Sequence, residues 1–176
     1  MQAAISILPS NYTFEIEKTL CRILDLKKQE AAATAVSKDG KISKMSKVSL
    51  QFPEGLLVYS TLIADILSKF SDVDCLILGD VTYGACCVDD LASKALECDF
   101  VVHYGHSCLV PIQELTVKNA LYVFVEIDID IDHLVSSIIF NYKDDQTKKV
   151  YLLGTIQFNK ALYVAKAMLE KHPEFQ

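Results

Sequence analysis

Two short stretches hold most of the residues able to do chemistry. The first is Gly79-Asp80-Val81-Thr82-Tyr83-Gly84-Ala85-Cys86-Cys87-Val88-Asp89-Asp90, with two adjacent thiols in a glycine-flanked turn. The second is His103-Tyr104-Gly105-His106-Ser107-Cys108, with two imidazoles and a third thiol. Thiolates are the ordinary protein ligands of zinc and of iron–sulfur clusters. Adjacent cysteines rarely hold one metal together, because their side chains diverge, so at most one of Cys86 and Cys87 is expected as a ligand, or the two have separate roles. Cys86 follows Gly84-Ala85, whose small side chains leave room for a bulky inorganic group. No C-x-x-C and no C-x-x-x-C-x-x-C occurs, so four sulfurs are not available locally unless Cys108 folds in.

The same residues allow other readings. His103, His106, Cys108 and Cys86 could bind zinc. Cys86 or Cys108, with His106 as base, could form a nucleophile, although no G-x-S-x-G-like elbow supports it. The cysteines could also fill a buried turn, with both imidazoles hydrogen-bonded to backbone. Nucleotide signatures are absent: there is no G-x-G-x-x-G and no phosphate-binding lysine loop. Asp128, Asp130 and Asp132 alternate without an EF-hand glycine or closing glutamate, and read as a turn and a helix cap rather than a calcium site.

The elements that must position these residues alternate. Asn11 can cap a helix from about Thr13 to Glu30, with Phe14, Ile16, Leu20, Ile23 and Leu24 as its apolar stripe. Strands are expected at Val48–Phe52, Cys75–Leu78, Phe100–His103, Leu121–Ile127 and Val150–Leu153. Helices are expected at Leu56–Phe70, Val88–Glu97, Asp132–Tyr142 and Gln157–Lys171, with a loop or degenerate helix at Val110–Asn119. The apolar Cys75–Leu78 run suits a strand covered on both faces. The pattern predicts an α/β fold, a mainly parallel open sheet of about five strands flanked by helices in a Rossmann-like single domain. Residues 1–35 form an N-terminal helix region, 36–46 a lysine-bearing surface loop insertion, and 47–176 the α/β domain. Acids, glycines, imidazoles and thiols follow the strands: Glu54 and Gly55 after the first, Gly79 and then Cys86 after the second, His103 and His106 at the third, Glu126 after the fourth, Gly154 and Gln157 after the fifth. Open parallel sheets place their sites on this carboxyl rim.

Composition narrows the classes. At 176 residues and 51% hydrophobic, the chain can build a core. A net charge of −6 argues against nonspecific nucleic-acid binding, which needs clustered cations. Met1–Asn11 has no Lys or Arg and too short an apolar run for a signal peptide. No stretch approaches the roughly 18 apolar residues of a membrane span. A cytoplasmic protein with reduced thiols is expected. Cys21, Cys75 and Cys98 lie in apolar runs and read as small core residues.

The segments LPSNYTFEIEKT, LQFPEGLLVYS, GDVTYGACCVDDLASKALECDFVVHYGHSCLVPI, LYVFVEIDID and GTIQF together resemble the diphthamide synthase family, in its eukaryotic first-subunit type. The resemblance runs from about Leu8 to Gln176, apart from the insertion at 36–46, and covers the first of the three similar α/β domains of such proteins. It implies that each domain donates one cysteine to a single 4Fe-4S cluster, and that the one in the G-A-C turn is Cys86, with Cys87 not the expected ligand. It implies S-adenosylmethionine as co-substrate, cleaved between its sulfur and the methionine γ-carbon. The resulting 3-amino-3-carboxypropyl radical adds to a histidine ring carbon of elongation factor 2, the first step of diphthamide formation. Implied partners are a second synthase subunit in a heterodimer, elongation factor 2 and an electron-donating reductase protein. Glu54, His103, His106 and Gln157 fall within the family's motifs and are candidates for the cavity around cluster and substrate. The chain stops where the first domain of such proteins ends, so a fragment of a longer protein is expected, inactive by itself. A non-catalytic docking domain of the same complex and a stand-alone zinc enzyme are the alternatives.

Overall fold

The computed structural model describes residues 1–36, 45–79, 87–105, 110–142 and 149–173. Most of the expected insertion, and with it Cys86, His106 and Cys108, lies outside the described residues. The chain divides into two compact units, Met1–Pro9 with Phe14–Phe124, and Ser10–Thr13 with Val125–Gln176.

In the first unit, helix α1 (Ile16–Val36) precedes an alternation of β1 (Lys47–Gln51), α2 (Ser60–Ser71), β2 (Asp74–Leu78), α3 (Asp90–Ala95), β3 (Phe100–Tyr104) and β4 (Ala120–Val123). The four strands form one parallel sheet in the order β2-β1-β3-β4. The α/β class and the parallel open sheet are as expected, and among the described residues the sheet has four strands where about five were expected.

The central strands carry the core. All five residues of β3, FVVHY, are buried, in keeping with β-branched and aromatic residues on a sheet covered on both faces. Side chains alternate across a strand, so the register Ser49↔Val101 and Gln51↔His103 puts these four on one face. There Ser93 of α3 meets Ser49, hydroxyl to hydroxyl at 2.8 Å, and Val101 packs with Val88 and Val117. The opposite face holds Val48, Leu50, Val102 and Tyr104, all buried. Burying one such aliphatic side chain is worth roughly 1.5–3 kcal/mol, so this pair of strands anchors the unit.

β2 corrects one reading. Its apolar text suited a strand covered on both faces, but it lies at the sheet edge and Ile77 is 36% exposed. Cys98 is buried as expected, whereas Cys75 is half-buried and Cys21 is exposed. Cys21 and Leu24 fall off the inward stripe of α1, which is Ile16, Leu20, Ile23 and Leu26. That helix begins at Ile16 rather than Thr13, because Glu15 takes a left-handed φ of 47° and breaks the turn. Asn11 is not its cap: the Asn11 carbonyl instead accepts from the Asp128 amide at 2.9 Å. The helix runs on to Val36 through the Ala-rich stretch, a good helix former.

The second unit is helical. α4 (Ile131–Tyr142) and α5 (Asn159–Leu169) pack through Val135, Ile138, Ala165 and Leu169. Asp130 caps α4, its Oδ1 accepting from the His133 amide at 2.8 Å, as the aspartate pattern suggested. The expected strand 121–127 is two strands. Val125 at φ 50° breaks it, and Glu126–Ile127 pairs antiparallel with Tyr12–Thr13 instead of joining the parallel sheet. The expected fifth strand, Val150–Leu153, has no ladder partner among the described residues. Val150 and Leu152 pack on the helices while Tyr151 and Leu153 point out, so the period of two is present without a sheet. No helix among the described residues is long and apolar enough to cross a membrane.

Candidate functional site

The strand order sets where a site belongs. From β1 the chain crosses to β2 on one side, then returns past β1 to place β3 on the other. The two crossovers diverge at the β1–β3 pair, and the crevice outside the carboxyl ends of such strands is the usual ligand position. The loops that leave these two strands are Phe52-Pro53-Glu54 and the stretch beginning at Gly105.

These loops are locked together. The rings of Phe52 and Tyr104 stack with centroids 4.4 Å apart and planes 7° from parallel. Tyr104 is fully buried, and burial pushes its phenol up, with the Thr19 hydroxyl nearby acting in the opposite direction. Gly105 turns the chain at φ 88°, and a Cβ there would stand 2.9 Å from Pro53 Cγ and 3.2 Å from Leu56 Cδ1. Only glycine fits both the left-handed backbone and the contact. The Gly105 amide also donates to the Val123 carbonyl at 2.7 Å.

Gln51, the last residue of β1, reaches over the rim. Its carboxamide NH2 donates to the Cys87 carbonyl at 3.0 Å and its oxygen accepts from the Asp89 amide at 2.9 Å. It is 1% exposed, so both bonds form away from water, where leaving one unmade is costly. Asp89 then caps α3, its Oδ1 accepting from the Ala92 amide at 3.1 Å. The thiols of Cys75 and Cys98 are pushed up by burial.

Of the candidate residues, Glu54 is exposed and opens the short 3-10 helix Glu54–Tyr59 that follows β1. His103 is inside β3, 1% exposed, beside Gln51 by register and edge-on to Tyr122 with ring centroids 5.6 Å apart. Gln157 is half-buried in a helical turn of the second unit. Cys86, His106 and Cys108 lie outside the described residues. Thus Glu54 and His103 sit at the ends of neighbouring strands, one above the sheet and one within it. Among the described residues no three His, Cys, Asp or Glu side chains lie close enough to hold a metal ion. Two residues went unmarked in the sequence, Gln51 and Phe52. No sequence signal singled out Gln51, an amide at the end of a short strand.

Residues 52–176 match the family model described as "Putative diphthamide synthesis protein". The 2-(3-amino-3-carboxypropyl)histidine synthase subunit 1 of Dictyostelium discoideum is 47% identical over 172 residues, covering 98% of this chain and 32% of that protein. The protein of the same name from Debaryomyces hansenii is 46% identical over 174 residues, covering 99% of this chain and 37% of its own length. The chain therefore spans about a third of the curated relatives it matches. Among solved structures, Dph2 from Pyrococcus horikoshii has a similar fold, with TM-score 0.62 and 24% identity over 86% of this chain and 39% of that one. A second structure of that protein, with a 4Fe-4S cluster, aligns at TM-score 0.62 and 22% identity over 86% of this chain and 40% of that one.

Proposed function

The chain belongs to the diphthamide synthesis protein family, and from that membership we propose that it is part of an enzyme that transfers the 3-amino-3-carboxypropyl group of S-adenosylmethionine to a histidine of elongation factor 2. The observation that carries this reading is the 47% identity, over 98% of the chain, to a relative named for that aminocarboxypropyl-histidine product. The relative's designation as a subunit supports a complex with a second chain, and on this reading the protein works in the cytoplasm beside elongation factor 2 and an electron-donating protein.

The donor set suits one share of a 4Fe-4S cluster and no more. In the sequence Cys86 follows two small residues between β2 and α3, and among the described residues no complete metal set occurs. The other thiolates would come from outside this chain. Once bound, such a cluster supplies the one-electron chemistry that opens the sulfonium of S-adenosylmethionine. This chain's own contribution is position and dryness. The Phe52–Tyr104 stack and the Pro53–Gly105 contact fix the loops that leave β1 and β3, and the family resemblance assigns Glu54 and His103 there to the surroundings of cluster and substrate. The test is transfer of label from carboxypropyl-labelled S-adenosylmethionine to elongation factor 2 by the complete complex. Wild type transfers label and Cys86→Ala falls to background with partner binding intact. Undiminished transfer by Cys86→Ala would remove the catalytic reading and leave a docking domain.

A further inference from the structure

We infer that Val150–Leu153 is the first strand of a second parallel sheet, with a strand on each of its edges supplied by the remainder of a longer polypeptide. The stretch from Val150 repeats the build of the stretch from β1. β1 ends at Gln51, two residues follow, and the 3-10 helix Glu54–Tyr59 runs directly into α2. Val150–Leu153 is likewise followed by two residues, the 3-10 helix Ile156–Phe158 and, directly, α5. The backbone agrees at both junctions. Pro53 (φ −67°, ψ 155°) and Thr155 (φ −72°, ψ 165°) lead into the 3-10 helices, and Ser60 (φ −60°, ψ −43°) and Asn159 (φ −55°, ψ −46°) open the α-helices. A strand, a tight turn and a helix in this order are the opening half of a βαβ unit. The partners differ. β1 lies between β2 and β3, and its residues Val48 to Gln51 are buried. Val150–Leu153 has one face on the α4–α5 pair, through Val150 and Leu152, and no ladder partner among the described residues. Its other face presents Tyr151, 79% exposed, and Leu153, 90% exposed. Unpaired backbone groups and a bare apolar face are both costly, and a strand of this kind is stable only within a sheet of several. The source of the missing strands follows from length. This chain covers 32% of the Dictyostelium relative and 37% of the Debaryomyces one, so most of each polypeptide lies outside the match and can add strands. Nothing in this placement depends on a role for Cys86.

The test is amide hydrogen exchange, residue by residue, on the complete protein purified without any partner chain. In a strand, one residue directs its N–H and C=O to one edge and the next residue directs them to the other, so pairing on a single edge protects alternate amides only. With both edges paired, all four amides of Val150–Leu153 exchange about 100-fold or more slower than in an unstructured peptide, as in other core strands. Free exchange across the four would overturn the inference, and protection of alternate amides alone would overturn the two-edged placement. Protection that appears only when a second chain is added would overturn the same-polypeptide source. The covered face is read separately. Leu153→Asp in the complete protein should lower the melting temperature by several degrees, because the carboxylate would be buried. An unchanged melting temperature would contradict a covered face. Should Leu153→Asp fail to fold, the wild-type exchange pattern decides.

Discussion

A methyl group added at Gly105 would stand 2.9 Å from Pro53 Cγ, and one added at Gly154 would stand 2.9 Å from Leu162 Cδ1. The distances agree and the consequences differ. Pro53 Cγ belongs to a ring, with Leu56 close behind it, and Gly105 sits at φ 88°. Leu162 Cδ1 is the far end of a flexible side chain on α5, and a rotamer change clears it. The first glycine closes β3 on the rim of the sheet, while the second lies in an extended strip whose neighbour Leu153 is 90% exposed. The comparison teaches that the first unit holds its loops by fixed contacts at the carboxyl edge of the sheet, and that the second unit's strip has slack.

The sharpest way to break the comparison is to remove the stack. Phe52→Ala takes away a ring that is 6% exposed and parallel to Tyr104, and should cost about 3–5 kcal/mol in chemical denaturation. Next comes Gly105→Ala, with about 1–2 kcal/mol for the left-handed backbone and about 1–3 kcal/mol for overpacking against Pro53. Gly154→Ala, the matched control, should stay within about 1 kcal/mol of wild type; equal losses at the two glycines would dissolve the contrast. Asp89→Ala removes the cap of α3 and should cost about 1 kcal/mol, while leaving the Gln51 bond to the Asp89 amide available. The smallest effect is a pH dependence. Partial burial raises the Asp90 carboxyl, but hydrogen bonds from the Thr116 amide at 2.5 Å and the Thr116 hydroxyl outweigh it and hold it below its usual value. A depressed folded value contributes stability that is present above the unfolded carboxyl pKa of about 3.9. That contribution is lost as pH falls through the lower folded value. Asp90→Asn should therefore flatten the acid limb of the stability profile slightly, and an unchanged limb would remove Thr116 from the account.

Much of this was legible because periodicity and burial agree in the central strands. Phe100–His103 reads as a strand and is one, and the Asp128–Asp132 run reads as a turn and helix cap, with Asp130 capping α4. Strand order was not legible, since pairing is a property of distant segments, and the divergence point at β1–β3 exists only once the order is known. The split of LYVFVEI was hidden because Val125, a β-branched residue, adopts a φ of 50° that its type disfavours. The edge place of β2 was hidden because CLIL is equally apolar whether one face is covered or two. Gln51 was missed because an amide at a strand end announces neither its depth nor its partners, which lie 36 and 38 residues away. The assigned roles of Cys86, Glu54 and His106 came from the resemblance rather than from spacing, because a ligand shared among domains leaves no local pattern of paired sulfurs.

The central claim is that Cys86 is the one cluster ligand this chain contributes. It is tested most directly by iron and acid-labile sulfide content, measured without oxygen on the complete protein carrying Cys86→Ala or Cys87→Ala. The account predicts that Cys87→Ala keeps the wild-type content and Cys86→Ala loses it. A Cys86→Ala protein with its full complement of iron and sulfide would contradict it.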